Sequence, residues 1–516
     1  MGRDETHPEI EVKFDLGSAG GTPDWGVLAA VKGVAEVRRG GVQRLTATYY
    51  DSAGLDLLTH GITLRRRTGG SDPGWHLKLP AGQARQEIHR PAGRSGSPVP
   101  AELAALVRAF LRDAAVQPVV TLRTVRTLTL LVDARGGVLA EVADDVVTAT
   151  VPGQESSTSW REIEVELVDG SPRLLASVAE RLRGQGAVPA AHPSKPARAL
   201  AGDLPVTPVP NGHRAARRTA RAGEVVLAHL RGQRDQLLAL DPQVRLDSPD
   251  AVHQLRVTTR RLRSALATFG PLYAADATSA LRGELAWLAG VLGTARDAEV
   301  LRDLLAGELS ALPEPLVHGP VAERITTGLD QAYRQAHATV VTELDGPRHL
   351  ALLNALDDFV TAPPFAPPAH RPAKRELPVR VARAVRRVTR ALTAARAQGE
   401  LQQRELLSHE VRKAAKRARY AAEALQPFVG TDARALAKAM RKVQETLGSH
   451  QDSLLARDWL LTAAQHAHQA GEPTFTYGLL YERQCRGDGG TDANLAAAAT
   501  LLAPLTRLWP AQSARR

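Results

Sequence analysis

Apolar and polar residues alternate at the start of the chain, where Ile10, Val12 and Phe14 interleave with Glu9, Glu11 and Lys13. A period of two predicts a strand. Short runs of the same kind recur at 63–67, 74–79, 121–132, 138–142 and 161–168. Breaks rich in Gly, Pro and Asp separate them, such as Gly69-Gly70-Ser71-Asp72-Pro73-Gly74. Amphipathic helices are expected at 101–115 and 172–183. So many short antiparallel strands suggest a barrel or a strongly curved sheet. After a Pro-rich stretch from Pro189 to Pro210 the texture changes to long Ala/Leu/Arg segments of helical period. The pattern predicts an α+β multidomain chain, with a β domain at 1–204 and an all-α domain at 211–510. A second Pro cluster, Pro363 to Pro372, divides the helical domain into halves at about 211–360 and 374–510.

The two helical halves repeat each other. His253, Arg256, Arg260 and Arg263 recur as His409, Arg412, Lys416 and Arg419, each displaced by 156 residues. Leu292-Gly293 and Asp297 recur as Leu447-Gly448 and Asp452, displaced by 155. Two echoes in the same order indicate a duplicated unit, too long for a solenoid repeat and suited to a pair of bundles. Positions i, i+3, i+7 and i+10 fall within about 80° of arc on a helix. Each row therefore makes one basic face, with Lys413 beside the second, and Arg380, Arg383, Arg387 and Arg390 make another. Stacked like charges cost stability unless an anion or a facing acid compensates. Asp297 and Asp452 are candidate partners. Forked cations at this spacing can also grip successive phosphates of an extended polyanion.

Charge sharpens this division. The chain of 516 residues carries 66 Lys+Arg and 55 Asp+Glu. Residues 1–204 hold 24 basic and 24 acidic side chains, so the remaining 42 and 31 carry the whole surplus of +11. A polyanionic partner is expected for the helical half. Aromatic residues are 4% of the chain, which leaves little surface for base stacking and argues against nucleic acid. The single cysteine, Cys485, excludes an internal disulfide and fits a reducing, cytoplasmic setting. No run of 18 apolar residues and no apolar leader occur, so no membrane association is expected.

In the β half the charged positions form rows. Glu9, Glu11 and Lys13 share one strand face, and Glu162, Glu164 and Glu166 another. Arg65 with Arg67, His76 with Lys78, and Arg85 with Glu87 pair in the same way. Inside a small barrel, rows of unopposed carboxylates repel, and a hard divalent cation such as Mg²⁺ or Mn²⁺ relieves that repulsion. Cations on facing strands would hold phosphate oxygens, and together the two suit phosphoryl hydrolysis. No GxxxxGK[ST] loop is present, which argues against an ordinary nucleotide-triphosphatase engine.

Both halves resemble known families. His-x2-Arg-x3-Arg-Arg-Leu-Arg at 253–263, His-x2-Arg-Lys-x2-Lys-Arg-x-Arg-Tyr at 409–420 and the Leu-Gly-x3-Asp elements resemble the paired motifs of CHAD domains. That resemblance implies two pseudo-symmetric antiparallel helical bundles that bind inorganic polyphosphate. His450-Gln451, where the first repeat has Ala295-Arg296, implies a contact missing from the second half. The Glu9-x-Glu11-x-Lys13 pattern resembles the hallmark of the CYTH family of triphosphate tunnel metalloenzymes. Tyr49-Tyr50-Asp51, Leu64 to Arg67, Leu77 to Pro80, Ala140 to Asp144, Glu162 to Glu166 and Ser194-Lys195-Pro196 follow in the family's order.

The CYTH resemblance implies an eight-stranded antiparallel tunnel. It assigns Glu9, Glu11, Glu162, Glu164 and Glu166 to metal, with Asp144 and Glu141 in support. It assigns Lys13, Arg65, Arg67, Lys78, Arg85, Arg123, Arg126 and Lys195 to the triphosphate, and Glu87 to orienting a basic neighbour or water. The catalytic set is then Glu9, Glu11, Lys13 and Glu87. The leading expectation is metal-dependent hydrolysis of inorganic triphosphate, coupled to polyphosphate binding by the helical domain and to polyphosphate granules. The alternatives are a polyphosphate-binding protein without turnover, and a hydrolase of an organic triphosphate such as thiamine triphosphate or a nucleoside triphosphate.

Overall fold

A computed structural model of the chain describes residues 6–16, 23–81, 84–94, 96–203, 219–447, 449–486 and 491–508; the side chains of 6–9, 81, 84, 401–402, 449–452, 486, 491 and 505–508 lie outside the description. The chain forms two compact units, residues 1–209 and 210–516.

The first unit is one antiparallel sheet. Its strands are β1 (Thr6–Glu9), β2 (Glu11–Asp15), β3 (Glu36–Asp51), β4 (Thr63–Thr68), β5 (Gly74–Ala81), β6 (Ala84–Pro91), β7 (Gln117–Val132), β8 (Val138–Thr150), β9 (Thr158–Leu167) and β10 (Val188–Pro189). Their order is β1-β6-β5-β4-β3-β7-β8-β9-β2-β10. β1 and β2 are joined by Ile10 alone yet pair at opposite ends of that order, β1 with β6 and β2 with β9. The expected single strand at Glu9 to Lys13 is therefore broken at Ile10, and this break closes the sheet. Counting β1 and β2 as one staggered strand, the barrel has eight strands and β10 as an appendage.

The barrel reverses the usual polarity. Phe14, Val142, Ile163 and Val165 face outward and are buried against Leu174, Leu175, Val178 and Leu182 of the helix Pro172–Gly184. Because side chains alternate, their neighbours Lys13, Glu141, Glu162, Glu164 and Glu166 face the interior. The outer apolar layer provides the hydrophobic stabilisation, which frees the interior for charge. Farther along the same inward face the side chains become apolar. Ala47, Tyr49, Leu122, Val147, Ala149 and Trp160 pack with Leu200 and fill one end of the barrel.

Two local features differ from the sequence reading. β3 is a 16-residue strand over a segment absent from the strand-like runs of the sequence, where Gly40-Gly41 interrupts the alternation. The register shifts between Arg39 and Val42, and a Cβ on Gly40 would lie 2.7 Å from Leu128 Cβ. The helix expected at 101–115 ends at Leu111, since Arg112 takes φ +57°.

The second unit is helical throughout. Its first half contains Ala222–Arg245, Ala251–Phe269, Ala275–Ser310, Val321–Asp345 and Pro347–Thr361. Its second contains Ala373–Ala397, Leu401–Val429, Thr431–Thr446, Ser449–Gln469, Phe475–Arg486 and Thr491–Leu508. Most consecutive helices pack as neighbours, Thr491–Leu508 packs instead on Thr431–Thr446 and Ala373–Ala397, and the two motif helices, Ala251–Phe269 and Leu401–Val429, also pack on each other. Leu301, Leu305, Ile325 and Leu329 of the first half share a core with Leu460, Tyr477 and Leu480 of the second. Among the described residues no helix is long and apolar enough to cross a membrane.

Candidate functional site

The register of the first unit ranks its interior charges. Glu11 stands opposite Glu166, and Glu166 opposite Glu141. One step along, Lys13 stands opposite Glu164. A further step along, Glu162 stands opposite Asp145, and Asp145 opposite Arg126. From the other wall come Arg65 and Arg67 on β4, Lys78 on β5, and Arg85 and Glu87 on β6. Apart from Glu11, Asp145 and Glu162, these residues line a cavity of about 290 Å³ that, with Asp72 and Lys195, holds seven cations and five carboxylates. Tyr49 is the single aromatic ring among its described lining residues.

The deep rank is neutralised internally. Lys195 Nζ lies 2.7 Å from Glu162, 2.8 Å from Glu164 and 3.0 Å from Asp145. Arg126 forks onto Asp145 at 2.7 and 2.8 Å and reaches Glu164 at 2.8 Å. Lys13 Nζ is 2.6 Å from Glu164. Burial opposes charge on all of these groups. The paired acids outweigh it for Lys13, Arg126 and Lys195, whose pKa values rise, and Lys13, Lys195 and Arg126 hold Glu164 well below the carboxylate range. Oxygens of Asp145, Glu162 and Glu164 lie within 4.8 Å of one another, a spacing that suits a metal. The lysine ammonium already occupies the centre of that triangle.

The rank of Glu11, Glu141 and Glu166 is different. Glu11 is met by Lys13 at 3.1 Å and Arg85 at 3.5 Å, while Glu141 has no ion pair among the described residues. Here three carboxylates stand abreast on neighbouring strands.

Near the mouth, Glu87 gathers His76 Nδ1 at 2.8 Å, Lys78 at 3.4 Å and Arg65 at 3.7 Å. Burial, with Arg65 and Arg67 nearby, pulls His76 down to about 4 despite its Glu87 bond, and against its own burial Glu87 is held far below its ordinary value by the His76 hydrogen bond and the charges of Lys78 and Arg65. The Nε atoms of Arg65 and Arg67 are buried without a hydrogen-bond partner. Arg67 is pushed down to about 10 by burial and by Arg65 and Arg126, and it pairs with Asp72 of the mouth loop. That loop requires glycine: Gly69 has φ +80°, and a Cβ there would meet Arg44 O at 2.2 Å.

Two expected residues lie elsewhere. Asp144 faces outward and is bound by Arg161 at 2.6 Å, while its neighbour Asp145 points inward. Arg123 is exposed and stands on the face of β7 opposite to Arg126. The side chain of Glu9 lies outside the described residues. Asp145 was missed because Asp144-Asp145 places an acid on each face of β8, and the frame is set by Ala140 and Val142 packing outward.

In the helical unit, Arg256, Arg260, Arg263, His409, Arg412, Lys413 and Lys416 converge on a pocket of about 680 Å³. Arg282, absent from the sequence reading, and Arg417, which stands in the second motif without an assigned role, join them. Asp297 is the expected acid partner, 3.1 Å from Arg256, whereas Gly448, His450, Gln451 and Asp452 lie outside the described residues. Arg419 sits beside Glu423 at 3.4 Å, while His253 borders Arg296 and Arg256 without lining the pocket. Arg383, Arg387 and Arg390 are exposed on their helix, and Arg380 pairs with Glu376. Burial, reinforced by Arg260, Arg412, Arg419 and Arg256, drops the Lys416 ammonium to about 6. Burial and nearby cations lower His253 and His409 as well.

Residues 7–188 match the CYTH domain family and residues 228–461 the CHAD domain family. An uncharacterized protein of Mycobacterium tuberculosis, found in two strains, is 40% identical over 505 residues, covering 93% of this chain and 94% of its own. PptA from Streptomyces chartreusis is a structural neighbour at 22% identity and TM-score 0.43, over 56% of this chain and all of its own. The CHAD domain of the plant Ricinus communis is another, at 24% and 0.41, over 58% of this chain and 97% of its own. With both domains matched in order and a relative this similar along nearly its whole length, the chain belongs to the CYTH–CHAD family, in which the CYTH domain is that of the triphosphate tunnel metalloenzymes.

Proposed function

We propose that the chain hydrolyses inorganic triphosphate in its tunnel, using a divalent cation, and binds inorganic polyphosphate on its helical unit. The observation that carries the tunnel reading is the pair of buried, unpartnered Nε donors on Arg65 and Arg67, which line a cavity of seven cations with one aromatic ring. Phosphate oxygens satisfy such donors in bidentate fashion. Arg65, Arg67, Lys78 and Arg85 then hold the substrate, and Glu87 keeps Lys78 and Arg65 aimed. The triphosphate displaces Asp72 from Arg67 on entry.

The donor set fits Mg²⁺ or Mn²⁺, which prefer carboxylate oxygen. Glu11, Glu141 and Glu166, together with Glu9, are the ligands we assign, because the strand register sets three carboxylates abreast there. A cation bound there supplies charge neutralisation and an acidified water. Glu162 and Glu164 are committed to Lys195 and Arg126 and act as a fixed base for the cation array. Purified protein should release phosphate from tripolyphosphate with Mg²⁺ or Mn²⁺ and stop with chelator. Metal-independent release, or faster turnover of ATP or thiamine triphosphate, would overturn the metal or the substrate assignment respectively.

On the helical unit, the uncompensated cations around Lys416 favour a chain of phosphates. Lys416 is neutral above pH about 6 in the free protein. A bound polyanion favours its ammonium, so binding takes up a proton and tightens as pH falls. Polyphosphate affinity should rise by up to about tenfold per pH unit between pH 8 and 6. His253 and His409 add to the trend at lower pH. A Lys416→Met variant should bind more weakly and with a flat profile over that window. A variant that keeps the full slope would remove Lys416 from the site.

A further inference from the structure

The helical unit has a second basic cavity that the polyphosphate reading does not use. It occupies about 530 Å³ and is bounded by helices Ala222–Arg245, Ala251–Phe269, Leu401–Val429 and Thr431–Thr446. Its lining shares no residue with the pocket around Lys416. Arg434, Lys438 and Arg441 sit at i, i+4 and i+7 on one helix, so they crowd one face, and none has an ion pair among the described residues. Arg261 enters from the opposite wall, 3.1 Å from Glu423. Four cations thus face a single carboxylate, which is itself shared with Arg419 at 3.4 Å.

Two further atoms are orphaned at the same place. His229 Nε2 and Gln233 Oε1 are inaccessible to solvent and have no hydrogen-bond partner. Unmade hydrogen bonds on buried groups are costly and call for a partner. Burial, with Arg261 nearby, holds His229 down at about 4, so it is a neutral imidazole at physiological pH. A neutral imidazole and an amide oxygen ask for a ligand that both accepts and donates. The surrounding cations ask for one that carries about two negative charges.

We propose that this cavity is a phosphate site, taking a hydroxyl-bearing phosphate group. Arg434, Lys438 and Arg441 bind its oxygens, His229 Nε2–H donates to it, and its hydroxyl donates to Gln233. The group comes either from free orthophosphate or from the end of a polyphosphate chain. The inference goes beyond the proposed function and does not depend on tunnel catalysis.

Calorimetric titration of the full chain with orthophosphate, and separately with long-chain polyphosphate, tests it. Replacing Arg434, Lys438 and Arg441 together by alanine should remove one phosphate per chain from the orthophosphate isotherm if free phosphate is the ligand. If the chain end is the ligand, the polyphosphate isotherm alone should weaken, by at least about tenfold. These side chains are exposed, so the variant folds, and relief of their repulsion should raise its thermal midpoint. His229→Leu keeps the surface charge and should weaken the same isotherm by at least fivefold. Arg412→Ala with Lys416→Ala should leave the orthophosphate site intact. Unchanged isotherms in the triple variant would overturn the site, and an unchanged His229→Leu isotherm would reduce it to diffuse attraction.

Discussion

Exchanging Glu11 and Glu166 together for glutamine is expected to cut metal-dependent turnover of tripolyphosphate by about 100-fold or more, the scale on which removing catalytic charge stabilisation acts. The two carboxylates stand opposite each other in the β2–β9 register, with Glu141 next in rank. Glutamine preserves their shape and removes two facing charges, while Lys13 and Arg85 lose the Glu11 carboxylate, so the thermal midpoint of the variant is measured alongside. A reduced affinity for Mn²⁺, partly recovered at high metal concentration, should accompany the loss. Polyphosphate binding by the helical unit should be unchanged. Steady-state phosphate release across a metal titration measures all of this. If the double variant kept a tenth of wild-type turnover at ordinary metal concentration, this rank would not be the metal site.

Lys195→Met is expected to act on the other rank and in the other way. It strips the central ammonium from Asp145, Glu162 and Glu164, each within 3.0 Å of it and largely buried. Removing one partner of a buried ionic network leaves uncompensated charge and costs about 3–5 kcal/mol. For a unit of this size that lowers the midpoint of its thermal transition by roughly 6–20 °C. Adding Asp145→Asn and Glu162→Gln to the same protein should recover part of the loss, since the orphaned charges go with their partner. Calorimetry of the full chain, read for the transition that shifts, decides it. A loss under 1 kcal/mol would mean that Lys195 is not what neutralises the triad.

These two expectations divide a single run of glutamates, which is where legibility in the sequence ended. The alternation of Glu162, Glu164 and Glu166 with Ile163 and Val165 announces an inward acidic row. It says nothing about which of them a lysine some thirty residues later will claim, because that depends on how the helix Lys195–Ala199 is seated. The barrel was readable from strand periodicity, and the duplicated helices from the 156-residue echo. Ile10 was not: closure there is a property of pairing at both sheet edges, and no local pattern encodes it. Arg123 and Asp144 were misassigned for one shared reason. Each lies an odd number of residues from its inward neighbour, Arg126 or Asp145, and strand parity sends the two to opposite faces. In the helical unit Arg256, Arg260, Arg263, His409, Arg412 and Lys416 meet at one pocket, whereas His253 and Arg419 of the same rows do not line it. Arg282 escaped notice because it comes from a different helix and carries no repeat partner.

The apolar packing of Leu122, Val147, Trp160 and Leu200 across one end of the barrel has a consequence for direction. Among the described residues that end of the cavity is closed, so what enters by the loop of Ser71 and Asp72 is expected to leave on the same side. A long phosphate chain cannot be threaded through and can present only a terminus. Cleavage should therefore be exolytic, sparing internal linkages, and each product must back out before the next end is admitted.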